Sequence, residues 1–232
     1  MMGACVNNSR VTVAAGFTAL AAAYFLVAPG CPGWVRICLK LLPDMFLAAA
    51  LVSTMRRCSD RALVLTAISA LLFSLAGDAL GELKRGLWGE YAFVFQIGAF
   101  AVAQILYAAS FLRFVSLGRV GVRRILYVML LLAYFIVMGV LLLPNVDSVG
   151  LKFAVTIYMC LLAAMSMTAV LQTRPGYACF ASGAVLFVIS DSMIAVGMFL
   201  GSFPHRGFLI MLTYFAAQLL LNINLITPYY YD

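Results

Sequence analysis

A chain of 232 residues with 66% hydrophobic and only 10% charged side chains cannot coat a water-soluble particle, because a soluble domain carries about a quarter charged residues. Its solvent is mostly lipid. Membrane-spanning strands are excluded, since they alternate polar and apolar side chains over about ten residues whereas the runs here are apolar on every face, and the net charge of +7, with no aromatic-interleaved basic patch, reads as a record of topology rather than of nucleic-acid binding.

A helix crosses the ~30 Å hydrocarbon core with about 20 apolar residues. Eight runs of that order are predicted, at 11–28, 35–54, 62–83, 91–116, 123–143, 150–172, 177–200 and 207–226. The first has no convincing cleavage site after it and is expected to be a retained helix, not a signal peptide. The second carries Lys40, Pro43 and Asp44, with Lys40 and Asp44 an i, i+4 pair on one face. In the third, Ser74, Asp78 and Glu82 repeat at i, i+4, i+8. The fourth aligns Gln96, Phe100, Gln104 and Tyr107 on one stripe. The sixth opens on Leu151-Lys152. The seventh holds Ser190 and Asp191, and the eighth repeats Tyr214, Gln218 and Asn222 at i, i+4, i+8.

The side holding the N-terminus gathers Arg10, Arg56, Arg57, Arg61, Arg113, Arg119, Arg123, Arg124 and Arg174. The other side has Arg36, Lys84, Arg85, Lys152 and Arg206. The excess of positive charge predicts that both termini face the cytoplasm. Trp34 and Trp88 then fall at the outer interface and Tyr229, Tyr230 and Tyr231 at the inner one. The six cysteines, Cys5, Cys31, Cys38, Cys58, Cys160 and Cys179, show no CxxC or Cys/His spacing, and the single His205 lies in an outer loop. They read as small packing residues, and neither metal nor cofactor is expected.

Three motifs recur at an offset of 112 to 114 residues. Leu39-Lys40 matches Leu151-Lys152, Phe73-Ser74-Leu75-Ala76-Gly77-Asp78 is similar to Phe187-Val188-Ile189-Ser190-Asp191, and Ala103-Gln104-Ile105-Leu106 matches Ala217-Gln218-Leu219-Leu220. The expectation is one polytopic all-α membrane domain of eight helices built as a parallel 4+4 repeat, with halves at about 11–116 and 123–226.

An ionisable residue at the bilayer centre costs roughly 2.5–3.5 kcal/mol on insertion scales. Lys40, Asp44, Asp78 and Asp191 therefore have to face inward and meet each other or water, all of them in the outer half or near the midplane. Structural uses compete with functional ones. Lys40 and Asp44 fit an intrahelical ion pair, Ser74 and Ser190 fit hydroxyls bonded to their own helix carbonyls, Gln104, Gln218 and Asn222 fit interhelical glue, and Glu82 fits a solvated position near the interface. Asp78 and Asp191 stand apart. Neither has an opposite charge within four residues, and they occupy repeat-related positions.

At these residues the sequence resembles the lysoplasmalogenase (YhhN-like) membrane family, from the second run to the eighth. Lys40 with Pro43 is similar to that family's Lys-x-x-Pro element, and Ser74-Leu75-Ala76-Gly77-Asp78 to its Ser-x-x-Gly-Asp element. Gly183 through Asp191, with Phe187 and Ser190, resembles its Gly-Ala-x-x-Phe-x-x-Ser-Asp element, and Tyr214-Phe215-Ala216-Ala217-Gln218 its closing Tyr-Tyr-x-Ala-Gln. The fourth run departs from the pattern. Gln104 stands where the family usually has His, two residues ahead of Leu106-Tyr107, and Gln96 stands where Gly is usual, so a proton-shuttling role at position 104 is lost.

The resemblance implies hydrolysis of the vinyl ether bond of lysoplasmalogen, a lysophospholipid, to a fatty aldehyde and a glycerophospho-headgroup. Such a bond is cleaved by protonating carbon, and water then attacks the oxocarbenium ion. That needs a general acid and a carboxylate, and two close carboxylates in a low-dielectric cavity supply both forms. Asp78 and Asp191 would be that pair, facing one cavity, with Lys40 balancing charge or meeting the substrate phosphate. Asp44, Ser74, Gln104, Tyr107, Ser190, Tyr214, Gln218 and Asn222 would support the substrate. The alternatives are a proton-coupled transporter of small solutes or lipids, although no matching pair of Gly/Pro-broken helices is present, and a catalytically idle scaffold. A bacterial inner membrane and an internal eukaryotic membrane both suit a multi-pass chain of this kind.

Overall fold

The computed structural model describes residues 2–55, 58, 60–83 and 89–226. Arg56, Arg57, Lys84, Arg85, Trp88, Tyr229, Tyr230 and Tyr231 lie outside the described residues. Eight α-helices follow one another there: α1 (Met2–Val27), α2 (Gly33–Met55), α3 (Arg61–Leu83), α4 (Gly89–Leu112), α5 (Val122–Leu142), α6 (Val149–Leu171), α7 (Tyr177–Phe199) and α8 (Arg206–Asn222). Each matches one apolar run. Helices are the solution lipid imposes, because a backbone with no water to bond must satisfy itself within the segment. Seven spans among the described residues are long and apolar enough to cross a membrane: Asn8–Gly30, Arg61–Glu82, Ala92–Leu112, Val122–Asn145, Val149–Leu171, Tyr177–Phe199 and Arg206–Leu225. The α2 helix, with Arg36, Lys40, Pro43 and Asp44, is not among them. The protein is an all-α, multi-pass integral membrane protein.

Boundaries depart from expectation in three places. The α1 helix begins at Met2, nine residues before the apolar run. The α4 helix stops at Leu112 rather than 116, and α8 stops at Asn222 and gives way to a 3₁₀ turn at Ile223–Leu225.

The chain divides into two compact units. The first comprises residues 1–103 and 218–232, and the second residues 104–217. In the first, α2 packs on both α1 and α3. Its buried face is Lys40, Asp44, Leu47, Leu51 and Thr54, the i, i+3/i+4 spacing of one helical stripe. Glycines permit close approach on two neighbours. A Cβ at Gly16 would meet the Phe46 ring at 2.8 Å, and one at Gly77 would meet the Phe100 ring at 2.8 Å. Two bonds tie the turn after α8 to this unit: Thr54 Oγ1 donates to the Ile226 carbonyl at 2.9 Å and Arg10 to that of Asn224 at 3.4 Å. Asp60 caps α3, its carboxylate accepting from the Leu63 amide at 3.0 Å.

In the second unit α6 packs against α5 and α7. Met165, Ala169, Ala184, Phe187 and Ala217 are fully buried. Arg174 and Arg124 fasten one end of the unit. The Arg174 guanidinium lies 3.7 Å over the Phe180 ring and 4.4 Å over Phe114, while Arg124 stacks 3.8 Å over Tyr177 and donates to the Gln172 carbonyl at 2.6 Å. An isolated antiparallel bridge pairs Val115 with Gln172. The reverse polarity of exposure marks α5 as lipid-facing, with Leu126, Met129, Leu130, Ile136, Val137 and Val140 all exposed.

Candidate functional site

In the first unit two polar stripes meet. The α2 helix presents Arg36, Lys40 and Asp44, and α3 presents Ser74, Asp78 and Glu82. The Lys40 ammonium lies 3.0 Å from Asp78 Oδ1 and 3.7 Å from Glu82 Oε1. The ion pair Lys40 makes thus runs across to α3, where spacing along α2 pointed to Asp44. Glu82 is not merely a solvated residue at the interface, since its side chain is 19% exposed and faces the ammonium. Asp44 and Ser74 have no exposed surface. Ser74 Oγ makes no hydrogen bond among the described residues, nor does the second carboxylate oxygen of Asp78, so Ser74 is not spent on its own helix. Tyr24 of α1 lies within electrostatic range of Lys40, Glu82, Asp78 and Arg36. Further along, Gly81 is where Gln96 of α4 rests, and a Cβ there would collide with its amide. The 218–222 segment adds Gln218 and Asn222, both fully buried, with the Asn222 amide donating to the Gln218 carbonyl at 2.9 Å.

In the second unit Asp191 of α7 accepts a short hydrogen bond on Oδ2 from the Tyr158 hydroxyl of α6. Gln104 of α4, fully buried, turns its amide to that same hydroxyl. The Ser190 hydroxyl donates to the Ile210 carbonyl of α8 at 3.1 Å, so it ties two helices together and does not bond back to α7. Tyr107 stacks on Phe111 with ring centroids 6.0 Å apart, and Tyr214 meets Phe187 edge-on at 5.7 Å. Asp191 itself is half-buried. Beside it Ser192 accepts from the Tyr134 hydroxyl of α5 at 2.7 Å. From there an apolar groove of about 730 Å³ runs between α5 and α7, lined by Tyr127, Leu130, Tyr134, Ser182, Val185 and Ile189 among others.

Tyr158, Tyr24 and Tyr134 escape sequence reasoning. A lone phenol within an apolar run carries no spacing signal, and only the packing of a neighbouring helix gives it a partner. Chemically, the first unit offers a buried carboxylate held by an ammonium, and the second a carboxyl held by a phenol and, between α5 and α7, an apolar groove.

These features define a helical multi-pass membrane protein with carboxylates inside the helices of each unit. Residues 35–225 match the model of the YhhN family, and the chain belongs to that family. Among similar proteins is "Lysoplasmalogenase" of Mycobacterium bovis, 32% identical over 155 residues, which is 67% of this chain and 58% of that protein's length. The chain therefore spans a little over half of that mycobacterial relative. "Lysoplasmalogenase TMEM86B" of Sus scrofa is 32% identical over 209 residues, covering 88% of this chain and 81% of that one. "Lysoplasmalogenase TMEM86A" of Bos taurus is 29% identical over 83% of this chain and 79% of its own. No solved structure matches the chain.

Proposed function

We propose that this protein hydrolyses the vinyl ether bond of a lysoplasmalogen, releasing a fatty aldehyde and a glycerophospho-headgroup. The observation that carries the reading is kinship with proteins named lysoplasmalogenase, at 32% identity over 88% of the chain, in a protein that keeps carboxylates among its membrane helices.

The chemistry assigns the roles. Asp191 delivers its proton to the vinyl carbon remote from oxygen, and the π pair forms the new C–H bond. The adjacent carbon and the ether oxygen then share a positive charge. Water adds to that carbon and returns a proton to Asp191, and the hemiacetal collapses as its own O–H proton passes to the departing glycerol oxygen, which leaves as a hydroxyl while the C=O bond forms. Asp78 is the second carboxylate that the sequence assigns to this chemistry, which paired acids perform on oxocarbenium ions in glycosidases. Its contact with Lys40 suits that anionic role. Because Lys40 is already faced by two carboxylates, the geometry favours charge balance over phosphate binding for its ammonium. The groove between α5 and α7, apolar and bordered by Tyr134 with its bond to Ser192, suits a single alkenyl chain entering from the lipid.

The test is purified protein in detergent, given a lysoplasmalogen and assayed for free aldehyde beside the equivalent ester-linked lysophospholipid. Aldehyde from the vinyl ether alone is the expected result. No aldehyde under conditions where the protein is folded removes the reading.

A further inference from the structure

A carboxyl group has two chemically alike oxygens, and the torsion that exchanges them in an aspartate is broad and roughly two-fold. An aspartate that must hold a proton at one place therefore needs a partner that tells its oxygens apart. Asp191 has one. The Tyr158 hydroxyl donates to Oδ2, and a hydroxyl that donates is by that fact uncharged, so it marks the oxygen without supplying a counter-charge. Both side chains lie on packed faces. Tyr158 continues the stripe of Val155 and Leu162 on α6, and Asp191 that of Ala184 and Phe187 on α7, and these two helices pack against each other. Gln104, fully buried on α4, turns its amide to the same hydroxyl, so the phenol is held from a third helix. All three side chains lie in the same compact unit, residues 104–217.

We propose that Tyr158 is a positioning residue for Asp191: by occupying Oδ2 it assigns the acid proton to Oδ1, which gives that proton to the vinyl carbon and takes one back from water. This inference rests on the hydrolytic reading above. In the first step the Oδ1–H bond breaks and the π pair of the vinyl ether forms the new C–H bond. The electrons left on Oδ1 make a carboxylate whose charge spreads over both oxygens. The bond from the phenol thereby turns from one between neutral groups into a charge-assisted one, which is roughly twice as strong. It is worth more in the transition state than before it, the condition for raising the rate rather than tightening binding. When water adds to the cationic carbon, one of its O–H bonds breaks and the proton goes to Oδ1, since Oδ2 still accepts from Tyr158. No other reactant is required. The competing use of such a bond is a tie between two helices, which makes no demand on where the proton sits.

Infrared spectra of the intact protein in detergent, taken without substrate, separate the two uses and require no activity. The carbonyl stretch of a protonated carboxyl should be present in the wild type and lost in Asp191→Asn. In Tyr158→Phe it should persist at higher frequency, because its carbonyl oxygen has lost a donor. If Asp191→Asn removes no such band, or Tyr158→Phe leaves it in place, the assignment of the proton to Oδ1 is wrong. Should Tyr158→Phe not fold, fluorotyrosine in place of every tyrosine keeps the shape and strengthens the donor. The Asp191 band should then move to lower frequency, and a band that stays in place overturns the proposal in the same way. Turnover is the second arm. Per folded protein, Tyr158→Phe should lower kcat about tenfold, the order expected when a charge-assisted bond is lost from the transition state, and leave KM within about twofold. Lower thermal stability with kcat unchanged would make the bond a helix tie, and the positioning role would be wrong. Wild-type protein that makes no aldehyde sinks the hydrolytic reading, while the infrared bands still decide whether Tyr158 places the proton of Asp191.

Discussion

Lys40 faces Asp78 at 3.0 Å and Glu82 at 3.7 Å with its side chain 9% exposed, so removing the ammonium would strand two carboxylates inside the membrane region. Breaking a buried pair by deleting one partner costs about 3–5 kcal/mol, whereas replacing both partners by neutral groups is often close to neutral. Lys40→Met should therefore destabilise the protein by that order in detergent unfolding, and Lys40→Met with Asp78→Asn should recover most of it. Equal loss in the double variant would show that the pair is not the stabilising unit. The residues of this pair were legible in the sequence because ions in apolar runs are costly and few. Their pairing was not. Spacing reports only what shares a helix, so Asp44 stood out as the partner of Lys40, while the contact to α3 depends on how the two helices face each other. Tyr158 was invisible for the same reason, since its significance lies wholly in Asp191 on another helix.

At the scale of elements, close helix approach rests on a few glycines. The Phe100 ring of α4 is buried at 6% exposure and sits 2.8 Å from where a Gly77 Cβ would be. Gly77→Ala gains helix propensity, yet the ring must give way in a packed interior. We expect net destabilisation of about 1–3 kcal/mol, relieved by adding Phe100→Leu, as a double-mutant cycle on thermal unfolding would measure. A simple cap offers a smaller test. Asp60→Ala removes the acceptor of the Leu63 amide and should cost about 1 kcal/mol. Element existence was plain from hydropathy, and each of the eight runs is a helix. The ends were less so, and for a physical reason. Hydropathy reports the stretch that favours lipid, while a helix ends where its backbone finds other partners. The α1 helix continues through polar Asn8, Ser9 and Arg10, and α4 stops at Leu112 because the chain turns to pair Val115 with Gln172.

At the scale of the whole molecule, the bias of arginine and lysine between loops predicts both termini on the cytoplasmic side. A single-cysteine variant at position 232, in a background without the native cysteines, should resist a membrane-impermeant thiol reagent in intact cells and react after lysis. Labelling in intact cells would invert the orientation. On the proposed reading, carboxylates in the membrane region carry hydrolysis of a lipid vinyl ether. Its most direct test is aldehyde release from lysoplasmalogen by wild-type protein, Asp78→Asn, Asp191→Asn and the double variant. Asn keeps the size and removes the proton-transfer group, and a neutral amide is cheaper in the membrane than an ion; Asp78→Asn breaks the pair with Lys40 but leaves Glu82 facing the ammonium at 3.7 Å, so rates are compared on protein shown to be folded. Each single change should lower the rate by on the order of 10²–10⁴, with the double change costing little more than one. Near-normal aldehyde release from both single variants would show that the two carboxylates do not carry the reaction.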